Sequence, residues 1–318
     1  MDTKILKANP DGFAIASEIL KSGGLVAFPT ETVYGLGADA FNTKAVAKIY
    51  SAKKRPNFNP LIVHVIDLET AQKFVYLDAD ALLLANNFWP GPLTIVAPIR
   101  AGSNLSELIT AGLDTIAIRV PAHPVARKLL EIFNGPLAAP SANPSGSISP
   151  TNASHVKNGL NGRIHAILNG GKCNVGLEST IILSQNGECH LLRSGGIPEK
   201  NIEEILGYKL LSNKHPISPI SPGQLSSHYA PNAKLRMNAQ SASEDEYMIG
   251  FGHIIGQLNL SSKGDLTEAA SNLFSYLHMA DEDTLTLGKT KIAIAPIPMN
   301  GLGIAINDRL KRASSPRD

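Results

Sequence analysis

Thr30-Glu31-Thr32 closes an apolar run and is followed by Gly35-Leu36-Gly37; further on, Lys53-Lys54-Arg55 stops at Pro56, with Asn57 and Asn59 beyond. Hydroxyls, open backbone amides and adjacent positive charges are what a site for phosphates and a small zwitterion requires. The grouping recurs twice more. Thr115 and Arg119 lie in an apolar run near Pro140-Ser141-Ala142-Asn143, and Glu178-Ser179-Thr180 lies near Arg193-Ser194-Gly195. An arginine inside an apolar strand needs an anionic partner, because a buried unpaired guanidinium is costly. Each segment has a plainer reading when it stands alone. Three cations suit the negative end of a helix, and His64 among Ile62, Val63 and Val65 fits an ordinary core histidine. Together they describe a cavity lined by hydrogen-bond donors for several anionic groups. No protein nucleophile with its base accompanies them, so the expected chemistry joins bound ligands by orientation and charge stabilisation.

Other signals fall away. Gly288-Lys289-Thr290 lacks the leading glycine of a P-loop, Asp283 standing there instead. The nine histidines show no metal-ligand spacing, and two cysteines, Cys173 and Cys189, build neither a disulfide framework nor a thiolate site. Lys+Arg number 29 against 27 Asp+Glu, so any attraction for nucleic acid is local rather than global. Met1-Asp2-Thr3-Lys4 opens on no apolar signal core, and no run reaches the ~18 apolar residues of a membrane span. A cytoplasmic protein with no membrane contact is expected.

Apolar patterning supplies the elements that position these residues. Helices are expected from Asp11 to the Gly23-Gly24 stop, over 44–52 with Thr43 as cap, after Pro121, after Thr151 as cap, and over 198–206. Strands are expected at 25–28, 61–65, 93–97, 115–120, 137–139, 166–168, 180–183 and 189–193. The stretch after Thr32 reads as a glycine-rich turn leading into a helix. Pro216, Pro219, Pro222 and Gly223 among serines mark a linker. Past it, strand 247–250, a helix carrying Leu266, Ala270, Leu273 and Leu277, strand 291–295 and helix 302–313 suggest a small parallel α/β unit. The organisation is therefore α/β throughout: a domain at 1–206, an extended linker at 207–231 and a smaller domain at 232–318.

At these residues the chain resembles the Sua5/YrdC/YciO family in its longer, Sua5-type form. The likeness spans Pro29 to Gly37, Lys53, Arg55, Pro140 to Asn143, Gly176 to Thr180, Ser221-Pro222-Gly223, His228-Tyr229-Ala230-Pro231 and Gly301 to Arg309. It implies a twisted YrdC-like α/β sheet followed by a Rossmann-like domain, the linker folding over the active site. It also implies a reaction: L-threonine, bicarbonate and ATP, with Mg²⁺, give L-threonylcarbamoyladenylate and pyrophosphate. The product feeds the threonylcarbamoyl transferase machinery that modifies adenosine 37 of tRNA. By the same likeness Lys53 and Arg55 are catalytic. Thr32, His64, Arg119, Ser141 and Ser179 contact threonine, while Arg55, Asn59, Thr115, Asn143, Thr151, Arg193 and Tyr229 contact ATP. The competing reading is an RNA-binding module without adenylate chemistry. A carbamoyl transferase of the hydrogenase-maturation type is a further alternative, but it would need a cysteine-rich zinc region.

Overall fold

The computed structural model describes residues 2–56, 58–212 and 228–315; Asn57 and linker positions 213–227, with Ser221-Pro222-Gly223 among them, lie outside the described residues. The segment bearing the threonines and glycines is a β-hairpin. Val26–Pro29 and Tyr34–Asp39 pair antiparallel, with Phe28 opposite Gly35 and Val26 opposite Gly37. This corrects the expected turn-to-helix reading. The glycines are strand residues, and a Cβ on Gly37 would lie 2.8 Å from the Phe28 ring. Thr30 makes the turn instead: its hydroxyl donates to the Val33 carbonyl at 2.6 Å and accepts from the Val33 amide at 3.2 Å.

Among the described residues eleven strands form one mixed sheet. From one edge run Lys4–Lys7, Ala166–Asn169, Val26–Pro29, Tyr34–Asp39 and Leu137–Ala138. Ile62–His64, Thr115–Arg119, Leu93–Pro98, Thr180–Gln185, Glu188–Arg193 and Leu211–Ser212 follow. Helices Pro10–Lys21 and Pro124–Phe133 cover one region through Phe13, Leu20, Leu129 and Phe133, and Thr43–Lys53 packs Val46 and Ile49 into the main core. The edge strand Lys4–Lys7 was hidden by its composition, since only Leu6 of its four residues is buried.

Two caps differ from expectation. Asn42 and Asn152, not Thr43 and Thr151, accept the helix amides of Ala45 and His155, at 3.1 and 2.9 Å. Asparagine caps at least as well as threonine, and the neighbour one position earlier reaches the amide three residues on. The first helix likewise starts at Pro10 under an Asn9 cap. The first domain also outlasts its expected end at 206, because Leu211–Ser212 pairs parallel with His190 and Leu191.

The second domain is a four-stranded, wholly parallel sheet, ordered Lys234–Arg236, Lys291–Ile294, Glu246–Gly250 and Leu258–Asn259. Helices Leu266–Thr286 and Leu302–Ala313 pack on it. Its core is continuous with the first domain: Val33, Ile148 and Leu177 join Leu273, Phe274 and Leu277 in one apolar cluster. Gly176 permits the approach. Its φ of 74° suits glycine, and a Cβ there would lie 2.5 Å from the Ala270 carbonyl oxygen. No helix among the described residues is long and apolar enough to cross a membrane.

His155 and His278 stack across this interface with centroids 3.9 Å apart. Burial, reinforced by His278, pushes His155 down to about 3, and burial brings His278 to about 4. An unfolded histidine titrates near ~6.5, so below that pH the unfolded chain binds more protons and stability falls as pH drops. Urea midpoints measured at pH 7 and pH 5 should therefore decline, and less so in a His155→Phe, His278→Phe double variant. Equal declines would place the acid sensitivity in other groups.

Candidate active site

The hairpin turn, the ends of strands Ile62–His64 and Thr115–Arg119, the loop at 139–141, the loop at 178–179 and the end of Glu188–Arg193 converge on one cavity. Thr32, Arg55, His64, Arg119, Ser141, Ser179, Arg193 and Tyr229 all line it, as do Thr30, Glu178 and His228. The cavity measures about 40 Å³.

Arg119 anchors one wall. Its Nε donates to the Gly91 carbonyl at 3.1 Å, and its two terminal nitrogens donate to Thr32 Oγ1 at 2.9 Å and Glu31 Oε1 at 2.5 Å. The anionic partner that an arginine on an apolar strand demands is therefore Glu31, whose other oxygen accepts the Ala122 amide at 3.0 Å. Burial opposes charge on Glu31, yet the guanidinium beside it holds the carboxyl below its ordinary value. The Thr32 hydroxyl is thereby fixed, also meeting Thr30 Oγ1 at 2.7 Å. His64 lies edge-on to Phe28, and its Nδ1 has no hydrogen-bond partner among the described residues. Burial, aided by Arg119, pushes it down to about 3, so the ring is neutral at physiological pH.

Two more arginines line the cavity. Arg55 donates through Nε to the Asn59 carbonyl at 3.2 Å, and through one terminal nitrogen to Asn59 Oδ1 at 2.6 Å and the Pro60 carbonyl at 2.9 Å. Arg193 clasps the Ser179 carbonyl at 2.9 Å and its hydroxyl at 3.2 Å, and that hydroxyl also meets Thr94 Oγ1 at 2.7 Å. Tyr229 closes the cavity with a strained backbone, φ 64°, its ring stacked on Phe274 of the second domain.

Five expected contacts stand outside the lining. Lys53 is buried beneath it, its ammonium donating to the carbonyls of Ser141 and Asn143. Burial drives that amine well below the ordinary lysine value, and the charge of Arg55 adds to the fall. Asn59 spends its side-chain oxygen on Arg55. Thr115 lies at the opposite end of the strand from Arg119, about 13 Å away at the rise of an extended chain. The Asn143 amide donates to the carbonyls of Pro144 and Ser147 and faces a neighbouring cavity. Thr151 is buried beside His155. Conversely, Glu178 and His228 line the cavity and were not singled out, although each sits within a motif that was. The signal for Glu178 is an acid directly before the hydroxyl pair Ser179-Thr180 at the start of a strand.

The family model described as "Telomere recombination", covering Sua5, YciO and YrdC, matches residues 18–195, and that described as "Threonylcarbamoyl-AMP synthase, C-terminal domain" matches residues 197–315. The chain belongs to the Sua5/YciO/YrdC family. It is 40% identical to the threonylcarbamoyl-AMP synthase of Bacillus subtilis, over 99% of this chain and 96% of that one. It is 38% identical to the Pyrococcus abyssi enzyme of the same name, over 95% and 94%. The crystal structure of P. abyssi Sua5 complexed with L-threonine superposes with a TM-score of 0.88 at 35% identity, covering 99% of this chain and 98% of that one. Agreement at that level over both domains makes the two-domain Sua5 arrangement the fold of this chain.

Proposed function

We propose that this chain is a threonylcarbamoyl-AMP synthase, joining L-threonine, bicarbonate and ATP into L-threonylcarbamoyladenylate with release of pyrophosphate. The observation that carries the reading is a single cavity lined by hydroxyls, a neutral imidazole and three arginines, in a chain whose relatives carry that name. The threonine amine captures bicarbonate as an N-carboxylate with loss of water. A carboxylate oxygen then bonds to the α-phosphorus of ATP as the bridge to the β-phosphate breaks, and pyrophosphate departs. Nucleophile, electrophile and leaving group are all anionic, so the chain must oppose their repulsion and hold them in line.

Arg55 and Arg193 are suited to the phosphates. The hydroxyls of Thr32, Ser141 and Ser179 and the neutral His64 are suited to the amino acid, with Arg119 supplying positive charge and orienting Thr32. Lys53 acts through the 141–143 loop that it ties down. Magnesium would arrive with ATP, since Glu31 and Glu178 are already bonded to arginines. Small-molecule sites span ~300–1,000 Å³, well above the cavity's volume of about 40 Å³, so ATP binding would require the cavity to widen. The adenylate would pass in the cytoplasm to a threonylcarbamoyl transferase acting on tRNA.

The test is pyrophosphate release with ATP, threonine and bicarbonate, each omitted in turn. Release should depend on all three. Absence of release, alongside salt-sensitive RNA binding, would favour an RNA-binding module instead.

A further inference from the structure

Arg309 is the largest fully enclosed side chain among the described residues, and it is not part of the lining of the candidate active site. It projects from helix Leu302–Ala313 of the second domain into the first. Its Nε donates to Glu178 Oε2 at 2.9 Å, one terminal nitrogen to Asp308 Oδ2 at 2.7 Å and the other to the Ser194 carbonyl at 2.9 Å. Its guanidinium also lies 5.3 Å from the centroid of the Tyr229 ring. One side chain thus touches three segments that carry cavity-lining residues: the loop at 178–179, the residue after Arg193, and the end of the linker.

Glu178 makes this contact consequential. It is a carboxylate on the wall of a cavity that otherwise offers cations and hydroxyls. Left alone, it would repel anionic ligands or swing to the nearest cation. That cation is Arg193, which grips the residue next to Glu178. Instead both carboxylate oxygens are occupied, Oε1 accepting from Ser149 Oγ at 2.6 Å and Oε2 from Arg309. Burial would raise the Glu178 carboxyl, but Arg309, then Arg193, hold it at about 2, so the group to be neutralised is fully ionised at physiological pH.

We propose that Arg309 is a positioning residue by which the second domain neutralises Glu178 and so keeps Arg193 directed at the phosphates of ATP. The inference rests on the adenylate reading above for the identity of the ligand. A simple clamp between domains would use the same contacts, and the two roles separate in a double variant. Arg309→Met leaves Glu178 charged without its partner; adding Glu178→Gln removes the charge but restores no clamp.

The experiment measures ATP affinity by titration calorimetry and threonine-dependent pyrophosphate release in wild type, Arg309→Met and Arg309→Met/Glu178→Gln. ATP should bind about tenfold more weakly to the single variant, with the double variant returning to within about threefold of wild type. A single variant that binds ATP as wild type does, or a double variant as weak as the single, would overturn the role. If Arg309→Met does not fold, the double variant, which carries no lone buried charge, is compared with wild type directly. A tenfold loss of ATP affinity there would reject charge neutralisation. Wild-type protein that binds ATP but releases no pyrophosphate would reject the adenylate reading and leave the Arg309 comparison readable.

Discussion

Arg55→Ala should lower threonine-dependent pyrophosphate release by about a thousandfold, the scale on which a single preorganised charge acts in acyl and phosphoryl transfer. The guanidinium is buried against the cavity and held by Asn59 and Pro60, so in the proposed reaction it would meet the phosphates without reorganising. Burial brings its pKa down to about 10, with Tyr50 opposing and Arg193 adding to the fall, and it remains protonated at neutral pH. A cation already stripped of water acts more strongly on developing charge than one in solvent. Arg55→Lys keeps the charge but not the fork that grips Asn59, and should fall between wild type and alanine. Truncation also leaves the Asn59 oxygen without its partner, at about 1–3 kcal/mol. Thermal unfolding measured beside the kinetics separates that cost from catalysis. Wild-type turnover in a folded alanine variant would remove Arg55 from the mechanism.

The site was legible where the same chemistry repeated. Hydroxyls and cations at three strand ends implied a shared cavity, and Thr32, Arg55, Ser141, Ser179 and Arg193 do line one. What local sequence withheld was direction. Lys53 and Arg55 are near neighbours in one cationic run, yet one ties down a loop while the other faces the cavity, because the helix ends at Lys53 and the left-handed Lys54 (φ 53°) turns the chain before Arg55. Arg119 demanded an anion, and nothing local named Glu31 as the one, since the two meet only after strands distant in the chain are laid side by side. Strand Tyr34–Asp39 was misread because glycine lowers strand propensity, while its reason for being there, the ring of Phe28, belongs to the partner strand. Arg309 stood in a recognised motif, but its role exists only in the packed pair of domains.

Arg119→Met carries the largest expected cost in stability, about 3–5 kcal/mol, because it strands the Glu31 carboxylate in the interior. Arg119 is the cation paired with Glu31, and both side chains are nearly enclosed. Methionine fills the space of the aliphatic stem, so most of the loss is electrostatic rather than a cavity. The pH dependence tests this. In wild type the Glu31 pKa is lowered, so its stabilisation is complete above the ordinary carboxylate value near 4.5 and is lost as pH falls through the folded value. In the variant the buried carboxyl, without Arg119, prefers its protonated form, and acid relieves the penalty instead. The stability gap between the two proteins should therefore narrow as pH drops from 7 toward 4.5, as read from urea unfolding. Adding Glu31→Gln should recover much of the loss at pH 7. A gap under about 1 kcal/mol at pH 7, the scale of an exposed ion pair, would mean that solvent reaches Glu31 and that the Thr32 wall is not held by this pair.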